Sequence, residues 1–577
     1  MKLQGKVYTA ILLSIALFSG FATANETKTK REKRANQPLQ INVTAWGPTQ
    51  EAVDAAKLRV ERSRAVQNEL AGTKYRIFGF EYVENNPVKS QPSAVPTRFR
   101  VVFYDYTNDR TLIAEGDFAA TEEITVRAEF SQPNPTDEEF EEAVRIVRSD
   151  ERFGSMLRGD RLRTFEPMPP VTILEGTTER LVNVGLEAFG DRAKNEVVSV
   201  SIKRGVVIRY EEGAPVTSKA EPDACGVPSA GQGSTTNGTA GQYQLSVMEN
   251  GSPLWEMLVI RPSASSGRTS ERSGIEVRDV KYKGKSVMKR GHAPILNVSY
   301  TGNVCGPYRD WQYAEGFFDA PTTGATDPAP GIRVLGEGQI ATTALDTGND
   351  TGNFRGVAIY QQDSGFGNEI VMVSEMNAGW YRYIMEWRFA PDGTIRPRYG
   401  YGATNSSCVC AVHHHHTYWR FDFDIVQPEN KIFQVGSPNR INPRVGGKVM
   451  SNETMELRSY LPSRSYLIQN SAGNEAYLLS PNTSDGNTDD YGGGDFWFLQ
   501  YKGTGGEPLE LDDPNTSTAA NISAWINLES LVNRDVVVWY AAHFIHADGA
   551  NLLNPDRSGN VLSGSHVVGP DIRPVRW

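Results

Sequence analysis

Two regimes of hydrophobic spacing divide the chain. Up to about residue 210, apolar residues recur at helical spacing in two places, and each is followed by alternating β-branched and aromatic runs. Residues 49–71 predict a helix: Thr49 can cap it, Val53, Ala56 and Val60 share one face, and Gly72 ends it. Strand-like runs follow at 99–104, 111–114 and 123–127. The order then recurs. Thr136-x-x-Glu139 is a capping-box signature ahead of Phe140, Ala143, Val144 and Val147, and strands are expected across 197–209. From about residue 241 the helical period disappears. Short alternating strands separated by Gly, Asn, Asp and Pro clusters continue to the last residue. The expected architecture is therefore small α+β N-terminal domains followed by a large all-β C-terminal sandwich. The expected divisions are 40–132 and 133–210 for the small domains, a Gly/Ser/Thr/Pro-rich linker at 211–240, and the sandwich at 241–577.

Composition narrows the function. The 577 residues carry 59 Lys and Arg against 69 Asp and Glu, a net charge of −10. That balance argues against sequence-independent nucleic-acid binding, which needs a basic footprint. Residues 1–24 read as a signal peptide: Lys2 and Lys6, an apolar run through Phe18, then Ala22-Thr23-Ala24. The uninterrupted apolar stretch falls short of the ~20 residues that span a bilayer. The chain is expected to be secreted, or periplasmic if bacterial. Residues 25–39 form a basic tail or propeptide, in which Arg31-Glu32-Lys33-Arg34 resembles a processing site. Asn-X-Ser/Thr sequons recur, among them Asn42, Asn237, Asn297, Asn349, Asn405, Asn452, Asn482, Asn515 and Asn521. In an oxidising compartment Cys225, Cys305, Cys408 and Cys410 allow three disulfide pairings, and Cys408-x-Cys410 is alternatively a soft metal site.

The histidines carry the chemistry. Of eight in the chain, four are consecutive, His413 to His416, and a strand-like run, Thr417–Asp424, follows them. Residues two apart on a strand share a face, so His413 and His415 point one way and His414 and His416 the other. Two imidazoles on one face supply half of a site for Cu, Zn, Ni or Fe. A third ligand is available from the strand-like run 536–540, which precedes His543 and His546. The bland alternative is a solvated histidine-rich edge. His292 and His566 stand alone and are expected to be structural or exposed.

These residues resemble the copper-dependent, quinone-containing amine oxidases. That family carries a His-x-His pair followed by Arg-x-Asp-x-Asp on one strand of a C-terminal sandwich. Here His413-x-His415 precedes Arg420-Phe421-Asp422-Phe423-Asp424, and His546 follows Val538-Trp539 where the third copper ligand is expected, with His543 as the competitor. The family builds topaquinone from one of its own tyrosines. Glu386-Trp387 and the Asp392-Gly393-Thr394-Ile395 turn match the stretch downstream of that tyrosine, which places Tyr381 at the precursor position. Trp380 stands where the family has Asn, Arg382 where it has an acid, and Asn377 where it has Thr.

The resemblance implies further roles. Asp319, after Phe317-Phe318, corresponds to the base that removes the substrate's α-proton. Tyr308, in Gly306-Pro307-Tyr308-Arg309-Asp310, would hydrogen-bond the quinone, and Phe317 would gate the channel. Asp422, Asp424 and Asp535, with the carbonyls of Phe423 and Val536, correspond to a Ca2+ site, chemistry that suits a hard cation. The implied activity is oxidation of a primary amine by O2 to an aldehyde, with release of ammonia and hydrogen peroxide, in a homodimer. Two alternatives stay open: a copper-binding protein of this fold without topaquinone, for which Trp380 and Arg382 argue, and a non-enzymatic secreted β-sandwich.

Overall fold

The computed structural model describes residues 39–577 apart from 84–90, 160, 168–169, 189–195, 209–238, 266–271, 301–307, 364–366, 405, 437–446, 460–463, 504–518 and 547–566. The expected signal peptide, most of the linker, Cys225, Cys305 and His566 lie outside the described residues.

The first helical pattern forms two helices, Gln50–Arg62 and Arg64–Leu70, which pack on a four-stranded antiparallel sheet. Thr49 caps the first by accepting from the Ala52 N–H, as its sequence position suggests. Ser63 is extended (φ −65°, ψ 131°) and breaks the expected single helix into two. The second pattern forms Asp137–Ser149 against a five-stranded sheet, burying Ala143, Val144 and Val147. Only half of its capping box forms. Thr136 Oγ accepts from the Glu139 N–H at 3.2 Å. The Glu139 carboxylate is instead buried and held by Arg180 at 2.8 and 2.9 Å and by the Tyr106 hydroxyl at 2.6 Å. A charge-assisted bidentate pair outcompetes a single capping bond.

All the described strands beyond residue 239 join, together with Gln40–Ala45, one large sheet system of 22 strands that wraps into the sandwich. Its central strand is His413–Phe423, the histidine strand. It pairs antiparallel with Lys285–Tyr300 on one edge and Arg534–His546, the closing strand, on the other. Both faces of these strands are buried, so residues of both parities along them enter a core. Val536, Val538, Tyr540, Ala542 and Phe544 enter the main core together with Trp419, Phe421 and Phe423. Val537, Trp539 and Ala541 enter a second core with Tyr418, Trp497 and Ile522. The two-residue period therefore assigns each histidine to one of two cores.

The other layer supplies the tyrosine strand, Tyr381–Phe389, which forms a hairpin with Asn368–Ala378. Ala378 pairs with Tyr381, leaving Gly379 and Trp380 as a two-residue turn. Gly379 sits at φ +57°, the conformation that a tight hairpin turn demands at its first central position and that favours glycine. Tyr381 is thus the first residue after a rigid turn, pointing into the main core.

Among the described residues no helix is long and apolar enough to cross a membrane. One sequon is unusable in the folded chain: Asn297 is fully buried in the strand Lys285–Tyr300, and its side chain accepts from Arg309. His292 is likewise buried, with Nδ1 3.1 Å from Ser273 Oγ. Neither Cys408 nor Cys410 is a free thiol, so neither offers a thiolate to a metal.

Candidate metal centre

Strand register builds the site. His413 pairs with His546, and His415 with Phe544, across the histidine and closing strands. The side chains of His413, His415 and His546 share one face, and their donor nitrogens lie within 4.8 Å of one another. All three rings are essentially inaccessible to solvent. His543 lies on the opposite face and is not part of this group.

Hydrogen bonding leaves the donor atoms available. His413 Nδ1 donates to the Ala411 carbonyl at 2.5 Å, so its Nε2 presents a lone pair to the centre. Both nitrogens of His415 are buried and lack a hydrogen-bond partner. A buried imidazole without partners is costly unless something binds it. Burial and then repulsion from neighbouring rings push the pKa of His413 and His415 far below the usual histidine range, keeping both neutral and ligand-competent. Three imidazoles of this kind fit a borderline transition metal such as copper.

Tyr381 lies directly on the triad. It is fully buried, and its hydroxyl contacts His413 Nε2 and lies 3.2 Å from His546 Nδ1. Its ring stands edge-on to His415 (4.6 Å, 80°) and stacks on Tyr383 (5.1 Å, 4°). Two of the three residues that depart from the family pattern have a hydrogen-bond partner, while the buried side-chain amide of the third, Asn377, has none. Arg382 forms a buried bidentate pair with Asp350 at 2.7 and 3.0 Å and donates to the Tyr381 carbonyl at 2.9 Å. The Trp380 indole donates to the Tyr300 hydroxyl at 3.0 Å, and Tyr300 in turn stacks on His413 (4.7 Å, 23°). The turn around Tyr381 is held at both flanks.

The carboxylate that reaches this stack is Asp310. It is 1 % exposed, accepts from the Tyr383 hydroxyl, and keeps its other oxygen without a partner. Burial raises its pKa to about 7, against a smaller lowering by the Tyr383 hydrogen bond. Asp319 sits elsewhere, half-buried on a backbone bridge to Thr342. Among the described residues no hydrogen bond, ion pair or ring contact links its side chain to Tyr381. Phe317 lies beneath the Arg355 guanidinium (4.8 Å). Tyr308 occupies a two-residue strand paired with Val298, and its side chain lies outside the described residues. Tyr300, Tyr383 and Asp310, which adjoin Tyr381 or the triad, were not singled out in the sequence: no motif marks the two tyrosines, and Asp310 enters only as the end of the segment 306–310. The sequence signal that could have found Tyr300 is its place in line with His413, at the end of the neighbouring strand.

A second group, Asp422, Asp424 and Asp535, gathers on the opposite face at the other end of the same strands, with carboxylate oxygens within 4.8 Å. Arg420 lies 3.7 Å from Asp422 and offsets part of the repulsion. Phe423 and Val536, between these acids, are register partners with buried side chains. Three clustered carboxylates fit a hard cation.

The fold is that of the copper-containing amine oxidases. The structure is similar to a copper-containing benzylamine oxidase from Hansenula polymorpha, with a TM-score of 0.58 and 14% identity over 90% of this chain and 96% of that one. It is also similar to an Aspergillus nidulans amine oxidase (TM-score 0.55, 14% identity, 92% and 88% of the two chains). A Pichia pastoris lysyl oxidase follows (TM-score 0.54, 13% identity, 94% and 91%). No family model matches the sequence, and no curated protein matches it either.

Proposed function

We propose that this protein is a secreted, copper- and quinone-dependent oxidase of primary amines, releasing aldehyde, ammonia and hydrogen peroxide. One observation carries the reading: the Tyr381 hydroxyl lies against two histidines of a buried triad, in a chain with the amine oxidase fold. Copper would be held by His413, His415 and His546, and the quinone would derive from Tyr381. When bound, they supply an electrophilic carbonyl for the amine and a route for its electrons to oxygen.

The chain's own residues orient and protect that chemistry. Arg382 and the Gly379–Trp380 turn fix the backbone of Tyr381, and Tyr383 holds its ring by stacking. Asp310 is the carboxylate we assign to holding the substrate's α-proton, in preference to Asp319. A carboxyl with a pKa near 7 can both take and return a proton at neutral pH. Asp422, Asp424 and Asp535 would bind Ca2+ and tie the histidine strand to the closing strand. We also propose a homodimer, disulfides at Cys408 and Cys410, and glycosylation at exposed sequons such as Asn349 and Asn452.

The test is peroxide release from benzylamine and other primary amines after copper loading in air. Activity in the native chain, its loss in His413→Ala, and a larger loss in Asp310→Asn than in Asp319→Asn support the reading. Absence of turnover with every amine in the copper-loaded protein refutes it. A second reading, copper binding without the quinone, is favoured by how tightly Trp380 and Arg382 hold Tyr381, since the ring must turn during oxidation.

A further inference from the structure

The first small domain covers only one face of its four-stranded sheet with helices. Phe80, Phe99, Val101 and Phe103 point to that covered face. On the other face, strand pairing sets Gly79 opposite Val102, Val102 opposite Ile113, and Ile113 opposite Arg127, one row across the sheet. The next row begins with Glu81 and Arg100. The first row starts without a side chain, at Gly79, where the strand bulges. Residues 131–134 and, from the sandwich, Arg272 and Tyr313 complete the lining of a cavity over these rows. Its volume is about 110 Å³, several times what one water needs.

The polar lining is unevenly paired. Glu81 is buried and accepts from Arg100 Nε, and Arg272 lies 3.4 Å from its other oxygen. One carboxylate therefore faces two guanidiniums. Arg127 pairs with Glu129; Glu115, 3.6 Å from Arg127, lies outside the lining and is approached by Arg98 at 4.0 Å. The lining thus carries an excess guanidinium charge. Arg272 is fixed by donating to the Ser265 carbonyl at 3.0 Å, with its backbone at φ +59°, a conformation that costs a non-glycine residue energy.

Donors are left over. Among the described residues, neither the terminal nitrogens of Arg100 nor the Tyr313 hydroxyl makes a hydrogen bond. Burial, and then the nearby Glu166 and Asp137, raise the Tyr313 pKa, so the hydroxyl keeps its proton. The rest of the wall includes the apolar side chains of Phe78, Val102 and Ile113. A mostly apolar recess with a few unspent donors and surplus positive charge suits a ligand with an apolar body and one anionic group.

We infer that this cavity binds a small monocarboxylate, its carboxylate held by the surplus guanidinium charge of Arg100 and Arg272 and its apolar body seated on the row that starts at Gly79. The lining shares no residue with the metal centre, and the inference does not rest on the oxidase reading.

Calorimetric titration of the full chain with benzoate and phenylacetate tests it, with benzamide and phenylacetamide as uncharged counterparts of matching shape. At least one carboxylate should bind saturably, one per chain, and its amide ~10-fold or more weakly, the scale of one hydrogen bond to a charged group. Arg100→Gln should erase the difference between carboxylate and amide. Gly79 is not at positive φ, so a side chain there brings no backbone strain. Gly79→Leu should fill the cavity and abolish binding; Gly79→Ala, with one added methyl group, should weaken it while melting as the native chain does. His413→Ala should bind the carboxylate as the native chain does. Failure of the native chain to bind either carboxylate overturns the inference, as does an amide that binds as tightly as its carboxylate. Binding that survives Gly79→Leu but disappears in His413→Ala would put the carboxylate at the metal centre and overturn it too.

Discussion

His413 and His546 are register partners on adjacent antiparallel strands, and the Tyr381 hydroxyl touches both rings. A site made by strand pairing is as rigid as the sheet, and each ligand depends on the face its position in the strand selects.

Face selection yields the first prediction. His546→Ala should lose copper from the triad by more than the ~10–100-fold expected for an outer-shell change. His543→Ala should leave triad copper essentially intact, because its ring is on the other face. Equilibrium titration with Cu2+ checks both; equal losses would contradict the face assignment.

The buried Arg382–Asp350 pair makes the second. Its side chains are 5 and 0 % exposed. Removing one partner strands a buried charge, so Asp350→Ala should cost about 3–5 kcal/mol in urea unfolding. Replacing both by apolar residues should cost much less. A small effect for the single substitution would show that the pair does not brace Tyr381.

Glu375 provides a pH test. It is buried, accepts from the Ala344 N–H at 2.8 Å, and burial raises its pKa to about 8. Its folded-state pKa lies above the unfolded value of ~4.3. The folded state therefore binds more protons over that window, and this contribution to stability is full below about pH 4 and lost as pH rises to about 8. Glu375→Gln should remove the dependence, so the gap in melting temperature should shift in the variant's favour between pH 5 and pH 8.5. A gap that does not change with pH contradicts the assignment.

The acidic trio predicts cation-linked stability. Adding Ca2+ should raise the melting temperature and EGTA should lower it, with ~2.7 kcal/mol at a hundredfold excess over Kd. Asp422→Ala should abolish the difference. A calcium response that persists in Asp422→Ala would place the ion elsewhere.

What the sequence disclosed depended on periodicity. The histidine strand keeps its two-residue period, so counting twos put His413 with His415; His546 and the grouping of Asp422, Asp424 and Asp535 came from the family resemblance. The choice between His543 and His546 needed the register as well. Asp310 was quoted only as the end of a segment because the chain from 310 to 325 is largely irregular. No period there says which carboxylate turns inward. The half-formed capping box failed for a similar reason: Arg180 is 41 residues from Glu139, and local rules cannot see a partner that distant. Ser63 broke the expected helix because local spacing fits one helix as well as two.

The central claim is that Tyr381 becomes the quinone, and mass spectrometry of its peptide after copper loading in air tests it most directly. The account predicts oxygen added to the Tyr381 ring and a phenylhydrazine adduct on that peptide, both absent from His413→Ala. A copper-loaded protein whose Tyr381 peptide keeps the mass of unmodified tyrosine and takes no hydrazine would contradict it.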